Sequence, residues 1–230
     1  MAETTAARRR RWPDGYDPEA TRMSIMDSAL ALFQAQGFDG TSIREIVDRA
    51  HLTKGAFYHH FATKEELLWE IQNAYIEAQL NAITEIMAAS DDPRVRVREL
   101  IRVSLTSIAE FHPHVTIFYQ ERRHLAGPRF TEVAAKRDQV EAAFNGVIRD
   151  GIEQGHFRSD LDPKITTFGL VGMCAWAYQW YNPGGTFGTE DIARHFSSMV
   201  LSGISIVDDG TIPGGGALAE DATAPETEII

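Results

Sequence analysis

Apolar residues recur at helical spacing along most of the chain. In the first such segment Met26, Leu30, Phe33 and Gly37 follow a spacing of i, i+4, i+7 and i+11, which predicts a helix over 18–36. Repeated alternating runs of Val, Ile and Thr are missing from the sequence, and no Asn-Gly or Asp-Gly turn separates such runs. The pattern therefore predicts an all-α fold.

Two short helices follow the first one. Ser42 and Glu45 have capping-box spacing, in which the serine oxygen accepts from a free backbone N–H and the glutamate reaches back to the cap. Thr53 caps the next short helix, after a connection of about four residues that begins at Ala50. Two short helices joined by a tight turn, behind a longer bracing helix, are the plan of a helix-turn-helix DNA reader.

The rest of the pattern predicts six longer helices. They are expected over about 64–87, 94–111, 115–125, 129–154 and 163–181, and from Thr189 onward. The most apolar stretch, 165–181, contains Thr, Gly, Gln and Tyr and is shorter than the roughly 20 apolar residues that span a bilayer. It is interpreted as a buried helix, and no membrane partner is expected.

These elements divide the chain into four parts. Residues 1–17, with the run Arg8 to Arg11, are expected to be a disordered basic arm, and 18–64 the helix-turn-helix domain. Residues 65–207 form a larger helical domain. Residues 208–230 contain six acidic residues and no Lys or Arg, and are expected to be a disordered acidic tail.

Charge separates the first 64 residues from the remainder. The net charge of the chain is −11, but residues 1–64 hold nine Lys and Arg against eight Asp and Glu, which gives +1. The remaining thirteen basic and twenty-five acidic residues give −12. Because DNA responds to the face that reaches it, an acidic body would orient the near-neutral head toward DNA. A single cysteine, Cys174, and the absence of a secretory signal indicate a cytoplasmic protein.

The third helix has the chemistry of a recognition helix. Thr53 and Gly55 are small, so the backbone can approach a groove, and the helix N-terminus favours a phosphate. Lys54 and Tyr58 lie one turn apart on the outer face, where they can reach a phosphate or a base edge. Lys64, which opens the next helix, is a further candidate for a phosphate contact.

Residues 25–68 resemble the DNA-binding domain of TetR-family transcriptional regulators. The matching residues are Ala29, Leu32-Phe33, Gly37-Phe38, Thr41-Ser42-Ile43, Ile46-Val47, Ala50, Thr53-Lys54-Gly55, Phe57-Tyr58, His60-Phe61, Lys64 and Glu66-Leu67. The resemblance implies an all-α homodimer with N-terminal helix-turn-helix heads and C-terminal helical ligand-binding and dimerisation bodies. It also implies a repressor that leaves its double-stranded operator DNA when a small-molecule effector binds.

The resemblance assigns DNA-contact roles in the head. The family's phosphate and base contacts carry over to Thr41, Thr53, Lys54, Tyr58 and Lys64. Gly55 and His59 lie where family members vary to set the operator sequence. Ser42 and Arg44, at the outward start of the second helix, complete the expected set.

The body resembles the branch of the family that senses acyl-CoA thioesters, including those of fatty-acid and sterol-ring catabolism. The matching segments are Gly151-Ile152, Gly155-His156-Phe157, Asp160-Leu161-Asp162 and the run from Trp180 to Gly185. Some relatives have Arg where this chain has Gln179 or Asn182, so an Arg contact to the CoA phosphates would be missing here.

Aromatic and small residues suggest where the body binds its ligand and its second copy. The expected pocket residues are Phe111, Phe118, Tyr119, Arg122, Met173, Trp176 and Trp180. The expected dimer interface contains Gly169, Gly172, Phe196, Met199 and Val200. No cofactor is expected. No metal is expected either, because His112 and His114 have no third ligand nearby in the sequence and the adjacent pair His59 and His60 points apart.

Two other functions and one unassigned segment stay open. A multidrug or antibiotic sensor of the same fold would favour pocket carboxylates such as Glu110 or Glu121, whereas an acyl-CoA would favour Arg122 and Arg123. A helical-bundle enzyme is disfavoured because the chain lacks a Gly-rich phosphate loop, a Gly-x-Ser-x-Gly elbow and a His-Glu-x-x-His motif. The run Arg8 to Arg11 is either a solvated segment or an arm that enters the minor groove.

Overall fold

The computed structural model describes residues 17–121, 124 and 127–206, and these residues form a helical protein. The helices in the described part are α1 (Pro18–Gln36), α2 (Ile43–Arg49), α3 (Lys54–His60), α4 (Lys64–Ala89), α5 (Pro93–Glu110), α6 (His112–Gln120), α7 (Gly127–Glu153), α8 (Pro163–Trp180) and α9 (Thr189–Ile204). β-Pairing in the same residues is limited to an isolated bridge between Phe157 and Ser205. The predicted all-α fold class is confirmed.

The first three helices pack around a small apolar core. The Asp17 carboxylate caps α1 by accepting from the backbone N–H groups of Glu19 and Ala20. The residues of these helices that are nearly inaccessible to solvent are Ile25, Ala29, Phe33, Ile46, Val47 and Phe57. At the start of α1 the buried residue is therefore Ile25 and not the predicted Met26, which is only partly buried.

The turn between α2 and α3 is tight. The Leu52 N–H donates to the Val47 carbonyl oxygen at 2.8 Å, and Leu52 packs against the core. The backbone of His51 has φ 55°, which lies in the left-handed region that residues other than glycine adopt only at an energetic cost. This turn sets the direction of α3 relative to α2.

The longer helices form the body. The 26-residue α4 begins beside α1 and continues against α5, α6 and α7, while α5 packs most extensively on α9. α7 ends at Glu153, and Gly155 follows it with φ 73°, a left-handed conformation that is common just after a helix end and favours glycine. At Gly151 a Cβ atom would lie 2.0 Å from Cδ2 of the buried Phe157, so glycine allows this ring to pack directly on the helix.

The predicted bounds of α6 are wrong. Periodicity placed this helix over 115–125, but it runs over His112–Gln120. Proline is tolerated in the first turn of a helix, so Pro113 belongs to the start of α6 instead of preceding it. The predictions for 1–16 and 207–230, including the arginine run, fall on residues that the structure does not describe.

Candidate functional sites

The candidate DNA-reading face lies on α2 and α3. Ser42 and Glu45 form the predicted capping box, with the Ser42 N–H donating to Glu45 Oε2 at 2.8 Å and the Glu45 N–H donating to Ser42 Oγ at 3.2 Å. Hydrogen bonds from Ser42 hold the pKa of Glu45 below its usual value. Thr53 Oγ1 accepts from the Ala56 N–H at 3.2 Å and caps α3. Both helix starts are therefore fixed by local bonds.

Most of the predicted DNA-contact side chains lie on this exposed surface. Ser42, Arg44, Thr53, Lys54, Gly55, Tyr58 and His59 are exposed, and the Tyr58 side chain is 57% exposed. A Cβ atom at Gly55 would meet only Thr53 Oγ1, at 3.6 Å. Packing within the protein therefore does not require glycine at this position.

Two of the predicted DNA contacts, Thr41 and Lys64, have side chains that bond to the turn between α1 and α2. Thr41 is only 2% exposed, and its hydroxyl donates to the Gly37 carbonyl oxygen at 2.8 Å, so the prediction that its side chain contacts DNA is corrected. Lys64 Nζ donates to the carbonyl oxygens of Phe38 and Thr41 at 2.7 and 2.6 Å. Lys64 therefore holds the α1–α2 turn, which leaves one ammonium N–H for a phosphate.

The body contains a cavity between α4, α6, α7 and α8. Its lining residues are Gln72, Ile76, Gln79, Phe118, Tyr119, Phe130, Val133, Ala134, Arg137, Val140, Glu141, Val171 and Ala175. An adjoining cavity shares Gln79, Tyr119 and Val140 with it and extends toward α5. Burial raises the pKa of Tyr119 to about 12, so its phenol stays neutral. The first cavity is mostly apolar with a few polar groups, the usual character of a small-molecule site.

The structure brings only some of the predicted pocket residues to the cavity. Phe118 and Tyr119 line the cavity, whereas Phe111 packs against Tyr75, with ring centroids 6.4 Å apart, and does not line it. Arg122 lies outside the described residues. Met173 is absent from the lining set as well.

The tryptophans of α8 were assigned to the wrong side of the helix. Trp176 and Trp180 are 63% and 47% exposed on the outer surface, because the cavity-facing positions of α8 are Val171 and Ala175. Cys174 is buried, and burial raises the pKa of its thiol to about 12, so the thiol stays protonated.

Sequence reasoning missed the polar residues of the cavity. Gln72 and Gln79 interrupt the buried face of α4 that Leu68, Ile71 and Ile76 form. A polar residue on an otherwise apolar helical face is a signal that could have located them. Arg137 and Glu141 come from α7 and lie one turn apart, with Arg137 exposed at the rim.

α8 and α9 present an exposed apolar surface. Ile165, Phe168, Trp176 and Met199 are each at least half exposed on it. The predicted interface residues Gly169 and Gly172 are exposed too, whereas Phe196 and Val200 are half-buried. The rings of Trp180 and Phe196 lie 6.3 Å apart, so the apolar residues of the two helices adjoin. Exposed apolar surface of this extent is typical of a protein–protein contact.

The head and the body meet at the end of α6. Glu121 follows this helix and is 8% exposed, and its Oε1 accepts from the Phe38 backbone N–H at 3.1 Å. His124 Nε2 lies 3.1 Å from Glu121 Oε2, and its Nδ1 lies 3.6 Å from Asp39 Oδ1. The α1–α2 turn of the head is thus bonded to the helix that carries the cavity residues Phe118 and Tyr119.

Comparison with known proteins decides the family. The model of bacterial regulatory proteins of the tetR family matches residues 25–71, and that of the tetracyclin repressor-like C-terminal domain matches residues 90–204. The transcriptional repressor KstR2 of Rhodococcus jostii (strain RHA1) is 33% identical over 186 residues, which cover 80% of this chain and 91% of that protein. The chain belongs to the tetR family. This tetR-family protein is a DNA-binding regulator and not an enzyme.

Solved structures agree with the family assignment. The ketosteroid transcriptional regulator KstR2 of Mycobacterium tuberculosis superposes with a TM-score of 0.76 at 30% identity, covering 80% of the tetR-family regulator described here and 94% of that chain. AibR in complex with isovaleryl coenzyme A and operator DNA gives a TM-score of 0.71 at 26% identity, with coverages of 78% and 97%.

The described residues contain neither a membrane-spanning helix nor a group of side chains suited to a metal ion. No helix in that part of the chain is long and apolar enough to cross a membrane. Within 17–121, 124 and 127–206, no three His, Cys, Asp or Glu side chains are grouped to hold a metal ion.

Proposed function

We propose that this regulator is a homodimeric transcriptional repressor that an acyl-CoA thioester releases from its operator DNA. The observation that carries the proposal is the double role of α6. Phe118 and Tyr119 of this helix line the cavity, and Glu121 at its end holds the backbone of the α1–α2 turn. A ligand that displaces α6 therefore acts directly on the segment that positions α2.

The character of the cavity favours an amphiphilic, anionic ligand. Its wall is largely apolar, with Ile76, Val133 and Val171 among the lining residues, and Arg137 lies at the exposed rim. An acyl group would fill the apolar part while Arg137 pairs with a phosphate of the CoA moiety. The structural neighbour AibR, solved with isovaleryl coenzyme A and operator DNA, supports the same ligand class.

Exposed side chains on the head and on α8 and α9 would contact the other two partners, operator DNA and a second copy of the chain. Tyr58 and Lys54 would contact operator DNA, and the apolar face around Trp176 and Met199 would pack against a second copy. In such a dimer the two α3 helices must match half-sites about 34–36 Å apart, or a multiple of that spacing. A repressor of this kind acts on the chromosome, so we assign it to the cytoplasm.

The second candidate function is a sensor of cationic drugs with the same fold, and the position of Glu141 favours it. This carboxylate lines the cavity. The carboxylates suggested by the sequence for that role are elsewhere, because Glu110 is exposed at the end of α5 and Glu121 accepts from the Phe38 N–H. Glu141 therefore replaces the carboxylates chosen from the sequence, and Arg137 is the described cation that separates the two candidates, whereas Arg122 and Arg123 lie outside the described residues.

The test is operator binding in the presence of ligands. The purified regulator is titrated against fluorescent DNA from upstream of its own gene, with and without long-chain and steroid-derived acyl-CoAs. We expect one thioester to release the wild-type protein from the operator DNA. The same thioester should release Arg137→Gln less effectively and the matched variant Glu141→Gln as effectively as the wild type. If no thioester releases the regulator from DNA, but a cationic drug does so in a way that depends on Glu141, the drug-sensing function replaces the acyl-CoA function.

A further inference from the structure

Gln72 is an unusual residue in the cavity wall. It lies two turns into α4, is 0% exposed, and lines the cavity between α4 and α7. Neither Oε1 nor Nε2 of its side chain has a hydrogen-bond partner among the described residues. Nearly all buried polar groups in proteins are hydrogen-bonded, so a buried amide with both ends unpaired indicates that the partner comes from outside the chain.

The other polar lining residue of α4 is engaged differently. Gln79 Nε2 donates to the Tyr75 hydroxyl at 2.8 Å. Gln79 therefore already has a protein partner, and Gln72 supplies the unpaired donor of this helix to the cavity.

Gln72 belongs to the buried part of the cavity lining. Gln72, Ile76, Phe118 and Val133 line the cavity and are at most 5% exposed, whereas Arg137, another lining residue, is exposed. A ligand whose charged group pairs with Arg137 would therefore place its apolar part among these buried residues.

We propose that the Gln72 side-chain amide is the specificity-determining group of this cavity and hydrogen-bonds an oxygen atom on the buried part of the effector. The inference rests on the proposed effector cavity and narrows its ligand to a class. The favoured effectors carry a ketone or hydroxyl group on their apolar end, and plain hydrocarbon groups of the same shape are disfavoured. A carbonyl oxygen accepts from Nε2–H, and a hydroxyl can also donate to Oε1.

The first experiment uses neutral probes that contain no CoA. Cyclohexanone and methylenecyclohexane have nearly the same shape, but only the ketone has an acceptor oxygen. Their dissociation constants for the full-length protein are measured by NMR from the Gln72 side-chain NH₂ signal in the wild type and from cavity methyl signals in all proteins. We expect the preference for the ketone over the alkene to fall about tenfold in Gln72→Met, because one hydrogen bond is lost and the carbonyl is then buried unpaired.

Matched variants separate recognition from folding. Gln72→Met keeps the length of the side chain, and Gln72→Leu serves as a second apolar replacement with the same expected loss. Gln139→Leu removes an exposed amide of α7 that does not line the cavity and should leave the preference within about twofold of the wild type. Thermal unfolding of the ligand-free Gln72→Met protein should occur at or above the wild-type temperature, because the substitution removes an unpaired buried amide.

A second experiment distinguishes this proposal from the proposed function. Operator release is compared for cyclohexanecarbonyl-CoA and its ring-keto derivative. If neither thioester releases DNA but the small ketone shows the Gln72-dependent preference, the acyl-CoA assignment fails and the Gln72 proposal stands. If both thioesters release DNA equally in the wild type and in Gln72→Met, the Gln72 proposal is overturned and the acyl-CoA assignment stands. Failure of the ketone to perturb the Gln72 NH₂ signal overturns it as well, as does a marked destabilisation of Gln72→Met.

Discussion

Replacing Glu121 by alanine should disconnect the head from the body. The substitution removes the acceptor of the Phe38 N–H, a bond of 3.1 Å at a position where Phe38 is 4% exposed and Glu121 is 8% exposed. It also removes the carboxylate that lies 3.1 Å from His124 Nε2. A hydrogen bond to a charged group contributes about 1.5–3 kcal/mol, and the orphaned N–H adds a desolvation cost, so we expect a loss of about 2–3 kcal/mol. For a chain of this size that corresponds to a decrease in Tm of about 5–10 °C.

The assay is thermal unfolding followed by circular dichroism at a fixed protein concentration, together with hydrogen exchange at the Phe38 amide. Glu110→Ala, which removes an exposed carboxylate at the end of α5, is the matched control. Glu121→Gln should retain much of the stability, because its amide oxygen can still accept from Phe38. If Glu121→Ala unfolds at the same temperature as Glu110→Ala and the Phe38 amide exchanges at the wild-type rate, the junction does not hold the head, and the route through α6 is refuted.

Three further predictions test the reading face, the packing of α7 and a buried histidine. Tyr58→Phe should weaken operator binding about fivefold in a fluorescence anisotropy titration without changing Tm, because it removes one exposed hydroxyl that can bond a phosphate; an unchanged affinity would exclude the contact. Gly151→Ala should cost about 3 kcal/mol in urea unfolding because its Cβ would lie 2.0 Å from Phe157, whereas Gly146→Ala, with nothing within 4 Å, should be neutral or slightly stabilising. Burial lowers the pKa of His114 from 6.5 in the folded protein, so the unfolded chain takes up the proton more readily and stability is lost as the pH falls below 6.5. As the pH is lowered through 6.5, the midpoint of urea unfolding should therefore fall less in His114→Leu than in the wild type. Parallel curves for the two proteins would contradict the assignment of this pH dependence to His114.

Local signals predicted the head well. The capping residues Ser42 and Thr53 bond to backbone groups three residues ahead, and such bonds depend on a few neighbouring residues. The same holds for Tyr58, since its outward direction follows from the position of the apolar residues on a short helix.

The body was less predictable because its sites depend on long-range packing. α8 is apolar on nearly all sides, so its sequence does not indicate which aromatic residues face the cavity, and Trp176 and Trp180 were placed on the wrong side. The bond between Glu121 and the Phe38 N–H joins residues 83 positions apart, and no local pattern reports it. Gln72 required the fold as well, because helices distant in sequence pack on α4 and enclose its amide.

The continuity of α4 has a consequence for redesigning this regulator. Lys64, which holds the α1–α2 turn, and Gln72, which lines the cavity, belong to the same uninterrupted helix and are separated by about 12 Å of axial rise. We expect a substitution between them to alter ligand selectivity and operator affinity together. Directed evolution of a biosensor with a new ligand should therefore diversify the α7 wall, at Val133, Arg137 and Val140, and leave the first turns of α4 unchanged.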